Sequence, residues 1–369
     1  MGLFKMEKEL SEFILQIKGQ DSAAMARARE HQEKLAKPPG SLGKLEDIAV
    51  KLSGISGEIY NELSKRRIIV LCADNGIIVE GVSCTPRSVT AAQAVNMTKA
   101  KTGMSSMAKS FGDEIQVVDV GIADPYDAAE VLNFNIREGT NNFYTEDAMS
   151  RDECIKAILI GTRLAAMAKQ DGVSVVGVGE MGIGNTSTSS AVLSVLTGLS
   201  IESVTGRGGG LTDDAFKHKK EILEEAIKRR NPNKDDVIDV ISKVGGLDIA
   251  AMCGVFLGCA HERIPVVIDG FISVVAALCA QRLCPKAKDF MFPSHESFEP
   301  GYMKAIKELN LEPYFNMAMR LGEGSGCVLS FELMAAACAM TNKMALFNED
   351  SNIDDSYLKE IREGDKFSV

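Results

Sequence analysis

The chain has 369 residues, of which 45% are hydrophobic, and it carries a formal net charge of −10. This length and hydrophobic content can bury the core of one large domain, or of one large and one small domain. The acidic balance, with no basic block and no tryptophan, argues against a general nucleic-acid-binding surface.

The nine cysteines form no CxxC pair and mostly lie in apolar runs, which indicates buried free thiols in a reducing compartment. The four histidines show no metal-ligand spacing. The first residues lack a signal-peptide pattern. The apolar run Ile264–Ala280 is interrupted by Asp269 and Gly270, so it does not reach the length of a membrane-spanning helix. We therefore predict a soluble, cytoplasmic protein with no metal, no cofactor and no membrane partner.

The N-terminal part of the chain predicts helices. Residues 5–35 place apolar side chains at helical spacing, Lys37-Pro-Pro-Gly-Ser-Leu-Gly43 interrupts the pattern, and Leu45–Leu52 resumes it. Near the other end, Gly326–Asn342 predicts a buried helix rich in small residues. The charged segment 345–369 is either a tail or a terminal helix.

From Arg67 onward the pattern changes to short apolar runs, each followed by a polar or glycine turn and then by helical sequence. The runs are Ile68–Ala73, Ile115–Gly121, Val173–Gly177 and Ile264–Gly270, and the helices include Val89–Lys101 and Thr188–Thr197. This alternation predicts an α/β fold with a mainly parallel sheet flanked by helices. We predict a large α/β domain at residues 61–329 and a small helical domain from residues 1–60 with 330–369. Ligands in such folds bind beyond the carboxyl ends of the strands, so the turns there are the place to search.

The turn Gly177-Val-Gly-Glu-Met-Gly-Ile-Gly-Asn-Thr186 matches the GxGxxG dinucleotide fingerprint, with Glu202 at the expected distance. Two features argue against that interpretation. Gly182-Ile-Gly184 delays the helix, and Glu180 would repel a pyrophosphate. The hydroxyls and amides of Asn185-Thr-Ser-Thr-Ser-Ser190 instead predict an anion site at a helix N-terminus.

A second glycine cluster, Thr205-Gly-Arg-Gly-Gly-Gly210, allows consecutive backbone amides to face a ligand. Arg207 adds a positive charge suited to phosphate or carboxylate. Asp213-Asp214 predicts a helix N-cap. Spacing alone predicts that Lys219, two turns into that helix, is a solvated surface charge.

A third cluster, Arg320-Leu-Gly-Glu-Gly-Ser-Gly326, places Glu323 between two glycines. Glu323 is either a carboxylate held close to a small ligand or an ordinary turn acid. In the loop Ser294–Gly301, a lone histidine, His295, predicts a structural role, whereas the hydroxyls of Ser294 and Ser297 could bind phosphate. The residues alone thus indicate a small-molecule enzyme with a phosphate site and two loop carboxylates, but without a GxxxxGK[ST] loop.

Nine stretches, in order along the chain, together resemble the nicotinate-nucleotide:dimethylbenzimidazole phosphoribosyltransferase family, which makes the lower-ligand nucleotide of cobamides (vitamin B12). They are Lys37-Pro-Pro-Gly-Ser-Leu-Gly43, Ala73-Asp-Asn-Gly76, Glu80-Gly-Val-Ser83, Gly182-Ile-Gly-Asn-Thr186, Gly206-Arg-Gly208, Gly245-Gly-Leu-Asp-Ile-Ala-Ala251, Asp269-Gly-Phe-Ile-Ser273, Ser294-His-Glu-Ser297 and Leu321-Gly-Glu-Gly-Ser-Gly326. A single glycine motif has little specificity, whereas nine in the order of the family are highly specific.

The resemblance implies transfer of 5-phosphoribosyl from nicotinate mononucleotide to an aromatic base, giving an α-riboside phosphate. It implies that Glu323 is the general base and that Glu180 is a second catalytic carboxylate, near the ribose and the incoming base. It further implies a homodimer, or a heterodimer with a paralogue. The implied substrate-binding residues are Thr85, Gln93, Gly182, Gly184, Asn185, Thr186, Gly208, Lys219, Ser297 and Gly322.

The sequence departs from the family pattern at three positions. Asn75 stands where the family usually has histidine, Tyr302 where histidine is common, and Thr85 where serine is frequent. These departures bear on the acceptor, for which 5,6-dimethylbenzimidazole is favoured and phenol or p-cresol is the alternative. Two other hypotheses remain at this point: a catalytically silent paralogue that supports a partner subunit, and a nicotinamide-dependent dehydrogenase.

Overall fold

The structure is a computed structural model that describes residues 3–348 and 351–358. The helices are α1 Leu3–Leu15, α2 Ser22–Lys34, α3 Lys44–Ser56, α4 Val89–Thr98, α5 Gly103–Phe111, α6 Arg151–Gln170, α7 Asn185–Thr197, α8 Ile201–Val204, α9 Asp213–Arg230, α10 Val237–Val244, α11 Leu247–Glu262, α12 Phe271–Leu283, α13 Tyr302–Glu308 and α14 Ser325–Lys343. The strands are β1 Arg66–Ala73, β2 Glu114–Gly121, β3 Leu132–Asn133, β4 Val175–Met181, β5 Val266–Ile268 and β6 Met291–Pro293.

The strands form one sheet in the order β3-β2-β1-β4-β5-β6, and every neighbouring pair is parallel. The central strand β1 is buried from Arg67 to Ala73, as a continuous apolar run covered on both faces requires. The α/β fold with a parallel sheet, predicted from four apolar runs, is therefore confirmed. Because all strands run in one direction, the turns after β1, β4, β5 and β6 meet at one edge of the sheet.

Strand β4 and the N-terminal helices differ from their predictions. Strand β4 extends to Met181, so Gly177, Gly179 and Glu180 lie within the strand rather than in the turn. The single helix predicted for residues 5–35 is two helices, α1 and α2. The side chain of Asp21 caps α2 by accepting hydrogen bonds from the amides of Ala23 and Ala24, at 2.9 and 3.0 Å.

The chain divides into two compact units, Met1–Lys18 with Lys65–Leu329 and Gly19–Ser64 with Ser330–Val369. This division differs from the predicted boundaries at α1, which belongs to the large unit. There Arg151 of α6 pairs with Glu7 at 2.6 Å, and Phe13 stacks on His261 of α11.

The small unit contains α2 and α3, and α14 ends in it. Within this unit Gln32 donates a hydrogen bond to Thr341 Oγ1 at 3.0 Å, and Leu35 forms an antiparallel bridge with Leu346. Of the terminal segment 345–369, residues 349, 350 and 359–369 lie outside the described residues, and Asp355–Leu358 forms one 3-10 turn.

Eight of the nine cysteines are buried and all nine are free thiols, which confirms that part of the prediction; Cys84 is exposed. In the part of the chain that the structure describes, no helix is long and apolar enough to cross a membrane. Among the same residues, no three His, Cys, Asp or Glu side chains lie close enough together to hold a metal ion.

Candidate active site

A cavity of about 300 Å³ opens at the carboxyl edge of the sheet, and every residue that lines it belongs to the large unit. It brings together eleven of the twelve site residues predicted from the sequence. These are Thr85, Gln93, Glu180, Gly182, Gly184, Asn185, Thr186, Gly208, Ser297, Gly322 and Glu323. The twelfth, Lys219, lies directly behind the wall, with its Nζ 3.0 Å from the hydroxyl of Thr186.

The turn after β4 requires glycine at two positions. A Cβ on Gly182 would lie 2.3 Å from the Ala73 carbonyl oxygen, and Gly184 has φ +97° with a side chain of Ile78 in the way of any Cβ. Helix α7 begins at Asn185, immediately after Gly184 and three residues earlier than predicted. The N-terminus of α7, with Asn185 and Thr186, therefore faces the cavity and favours an anion there.

Lys219 is buried, with 1% of its surface exposed, so the surface position predicted from spacing is wrong. Its ammonium donates to Thr186 Oγ1 at 3.0 Å and to the Gly206 carbonyl at 3.2 Å. Burial lowers the pKa of Lys219 to about 8, and the charge of Glu299 acts in the opposite direction. The buried ammonium beside Gly208 and Thr186 completes the anion-binding end of the cavity, defined here as residues 182–186 with Gly208 and Lys219.

Arg207 does not contribute the positive charge that the sequence suggested. Its guanidinium pairs with Asp213, donates to the Leu211 carbonyl and lies over the ring of Phe216. The cap of α9 also differs from the prediction, because Thr212 accepts the capping hydrogen bond from the Ala215 amide and Asp213 is already in the first turn.

Two buried carboxylates, Glu180 and Glu323, also line the cavity, and Glu180 contacts Asn185 of the anion-binding end. Glu180, 7% exposed, accepts hydrogen bonds from the Asn185 side-chain amide and from the Glu323 backbone amide, the latter at 3.4 Å. Burial raises the pKa of Glu180 to about 8, although the hydrogen bond from Asn185 lowers it. Glu323, 5% exposed, accepts from the Met104 amide at 3.2 Å.

Glycines bring the Glu323 loop against the strand that carries Glu180. A Cβ on Gly179 would lie 2.3 Å from the Glu323 carbonyl oxygen, and one on Gly322 would lie 2.3 Å from Glu180 Oε1. Glu323 itself has φ +64°, a strained conformation for a non-glycine residue. Gly179 therefore has a packing role, because it admits the backbone of the neighbouring loop.

Asp269, which follows β5, fixes this loop and was not selected as a site residue from the sequence. Its two carboxylate oxygens accept from the amides of Gly326 and Gly324, at 2.6 and 2.9 Å. His295 lies 3.9 Å from Asp269, shares a hydrogen bond with Ser294 at 3.0 Å and is 1% exposed, which supports its structural role. The position of Asp269 at the end of an apolar run was the signal that could have identified it.

Asp248 is a further buried acid behind the cavity wall that the sequence did not single out. Burial raises the pKa of Asp248 to about 6, and the nearby side chains of Asn185 and Asn75 act in the opposite direction. Asn185 therefore lies close to two carboxyl groups, and its amide donates a hydrogen bond to that of Glu180.

Of the three departures from the family pattern, only Thr85 lines the cavity. Asn75 and Tyr302 are both 0% exposed and lie behind its wall. The lining also includes apolar side chains, among them Val89, Phe271 and Ile272. An apolar lining of this kind suits a flat aromatic molecule.

A family model described as Phosphoribosyltransferase matches residues 17–351. The chain is 50% identical over 360 residues to nicotinate-nucleotide–dimethylbenzimidazole phosphoribosyltransferase of Clostridium perfringens strain 13, covering 98% of this chain and 99% of that protein. The same-named protein of Clostridium tetani is 45% identical over 356 residues, covering 96% and 98%. The crystal structure of CobT from Thermus thermophilus superposes with a TM-score of 0.85 at 33% identity, covering 89% of this chain and 98% of that one.

Proposed function

This chain belongs to the phosphoribosyltransferase family of those relatives, and from that membership we propose that it moves 5-phosphoribosyl from nicotinate mononucleotide to 5,6-dimethylbenzimidazole. The product is an α-riboside phosphate for cobamide synthesis. The observation that carries the proposal is a cavity in which an anion-binding end and two buried carboxylates line the same space.

The anion-binding end is suited to the 5-phosphate of the donor. The α7 N-terminus, the Gly208 backbone and the Thr186 hydroxyl offer hydrogen-bond donors, and Lys219 supplies the positive charge. The hydroxyl of Ser297 lines the same cavity. With the phosphate held there, we expect the ribose to lie beside the two carboxylates.

The carboxylates act on the other half of the donor. Nicotinate leaves as the bond from its ring nitrogen to the anomeric carbon breaks, and the bonding electrons neutralise the pyridinium, so no acid is needed. Glu180, when ionised, stabilises the positive charge that develops at the anomeric carbon. A ring nitrogen of the acceptor forms the new bond on the opposite face, and Glu323 takes the proton that the acceptor loses.

For the acceptor we favour 5,6-dimethylbenzimidazole, because its unprotonated ring nitrogen already has a lone pair for the new bond, and the N–H of the other ring nitrogen becomes acidic as that bond forms, so a glutamate can remove it. A phenol, with a pKa near that of tyrosine at about 10, needs more help to ionise. Thr85 is the departure that lies in the cavity, so it is the residue that could favour p-cresol. Turnover on the two acceptors at matched concentrations tests the choice, and a strong preference for p-cresol would overturn it.

Activity itself is tested by incubating the pure chain with nicotinate mononucleotide and a panel of bases. We expect release of nicotinate and formation of a riboside phosphate of the base. No product with any base would support a catalytically silent paralogue, which the presence of both Glu180 and Glu323 in the cavity argues against.

The hypothesis of a nicotinamide-dependent dehydrogenase is disfavoured because Gly177 and Gly179 lie within β4. A dehydrogenase would bind NAD saturably, and we expect no such binding. A homodimer, or a heterodimer with a paralogue, stays a prediction that the molar mass in solution tests.

A further inference from the structure

Glu299 lies at the anion-binding end of the cavity, and the reaction described above does not use it. It belongs to the loop that follows β6 and lines the cavity with Thr186 and Gly208. Its carboxylate is packed against Gly206, where a Cβ would lie only 1.7 Å from Glu299 Oε2. An acid therefore occupies space beside the groups that are proposed to bind a phosphate.

The surroundings of Glu299 are those of a carboxylate in competition with another anion. Its Oε2 is buried and has no hydrogen-bond partner among the residues that the structure describes. Burial raises the pKa of Glu299, whereas the charge of Lys219, the Gly208 amide and the charge of Arg320 act in the opposite direction. Lys219 and Gly208 are also the proposed contacts of the donor phosphate.

A phosphate bound at this end of the cavity and an ionised Glu299 would repel each other. Protonation of Glu299 removes that repulsion. The backbone on both sides of Glu299 is held in place. The Tyr302 amide donates to the Glu299 carbonyl at 3.0 Å, and the Phe298 amide donates to the Met319 carbonyl at 3.1 Å. A protonated Glu299 could stay where it is, and its hydroxyl would then be a hydrogen-bond donor to a phosphate oxygen.

We propose that Glu299 is a positioning residue that takes up one proton from solvent when the donor phosphate binds, and that it then donates a hydrogen bond to that phosphate. The proposal rests on the function proposed above. It explains why an unpartnered carboxylate oxygen lies in an anion site. It also assigns a role to Gly206, since only glycine leaves room for the carboxylate at this place.

The test is an infrared difference spectrum of the whole chain with and without nicotinate mononucleotide, at a pH where Glu299 is ionised in the free protein. We expect the carbonyl stretch of a protonated carboxylic acid to appear on donor binding and to be absent in Glu299→Gln. Glu296→Gln is the matched control, because Glu296 lies on the same loop, accepts from Asn316 at 3.1 Å and does not line the cavity. That variant should keep the band.

A second readout is the pH dependence of the Kd for the donor. If one proton binds together with the donor, the Kd of the wild type should rise by up to about tenfold per pH unit above the pKa of free Glu299. Glu299→Gln should lack this rise. Lys219 and Arg320 on this side, and Glu180 at the other end, also face the ligand, so the infrared band decides between them. Glu299→Asp, which keeps an acid on a shorter side chain, should shift the band.

The outcomes separate the two proposals. A donor that binds and reacts without the band, or with an unchanged band in Glu299→Gln, overturns the role of Glu299 and leaves the proposed function standing. A donor that does not bind overturns the proposed function, and the role of Glu299 with it. Should Glu299→Gln fail to fold, the wild-type spectrum and the Glu299→Asp shift still decide.

Discussion

The two ends of the cavity are built from different materials. The anion-binding end consists of backbone amides, small hydroxyls and one buried ammonium, and glycines such as Gly182 and Gly184 allow the close approach. The carboxylate end, defined here as Glu180, Glu323 and Asp269, consists of acids with at most 7% exposure. The anion-binding end offers positive charge for binding, and the carboxylates act on the reacting atoms, so substitutions in the two groups should affect different kinetic constants.

The largest effect is expected at the carboxylate end, from Glu323→Gln. The amide cannot accept the proton of the attacking base, so the transfer rate should fall about 100- to 10,000-fold. Binding of nicotinate mononucleotide should persist, because the anion-binding end is intact. Single-turnover rates together with a calorimetric Kd check this. A near wild-type rate would move the role of base to Glu180 or to solvent.

The second largest effect is expected at the anion-binding end, from Lys219→Met. A charge-assisted hydrogen bond contributes about 1.5–3 kcal/mol, so the KM for the donor should rise about 10- to 100-fold, with a smaller change in kcat. Lys217→Met on the same helix is the matched control, since the Lys217 side chain is 77% exposed, and it should leave KM unchanged. A fall in kcat at constant KM would contradict the separation of the two ends.

The same contrast shows what the sequence could predict. The sheet could be predicted because the apolar runs that form its strands are a local pattern in the sequence. The Gly182–Thr186 turn could be predicted because glycines mark positions where the backbone leaves no room for a side chain. Strands β3 and β6, of two and three residues, were not predicted from the sequence, whereas β5, also of three residues, was predicted because it lies in the longer run Ile264–Gly270. The break between α1 and α2 did have a local signal, in the Asp21-Ser22 pair that begins α2.

The carboxylate end could be predicted less well, because its properties arise from tertiary burial. No local pattern shows that Asp269 holds two loop amides, or that Asn185 donates to Glu180. Lys219, at the anion-binding end, shows the same limit, because its helix is strongly charged and its spacing predicts exposure, yet it is 1% exposed. The roles predicted for Glu180, Glu323 and Lys219 came from the ordered motifs of the family, whereas their burial is seen only in the fold.

A third prediction separates Glu180 from the other titrating groups of the cavity. The pKa of Glu180 is raised to about 8 by burial, so the ionised form becomes populated as the pH rises toward that value. The ratio of kcat/KM between the wild type and Glu180→Gln cancels the other titrations to first order. It should rise about tenfold per pH unit below pH 8 and level off above it. A ratio that is independent of pH would show that Glu180 acts without its charge.

The smallest effect concerns stability, and its sign opposes the effect on activity. The pKa of Glu180 is about 8 in the folded protein, against 4.5 for an unperturbed glutamate, so between these values the folded state holds a proton that the unfolded state releases. Glu180 therefore destabilises the fold progressively as the pH rises from about 4.5 to 8, and Glu180→Gln, which cannot ionise, escapes this loss. The variant should match the wild type near pH 4.5 and unfold several degrees higher at pH 8, for a difference of up to about 4 kcal/mol. The control is Glu221→Gln, because the Glu221 side chain is 64% exposed, and it should show no such pH-dependent gain in calorimetric melting temperature.

If Glu180→Gln is less stable than the wild type at pH 8, the hydrogen bonds to the Glu180 carboxylate outweigh its desolvation. The carboxylate end would then be stabilised by the charge that catalysis uses.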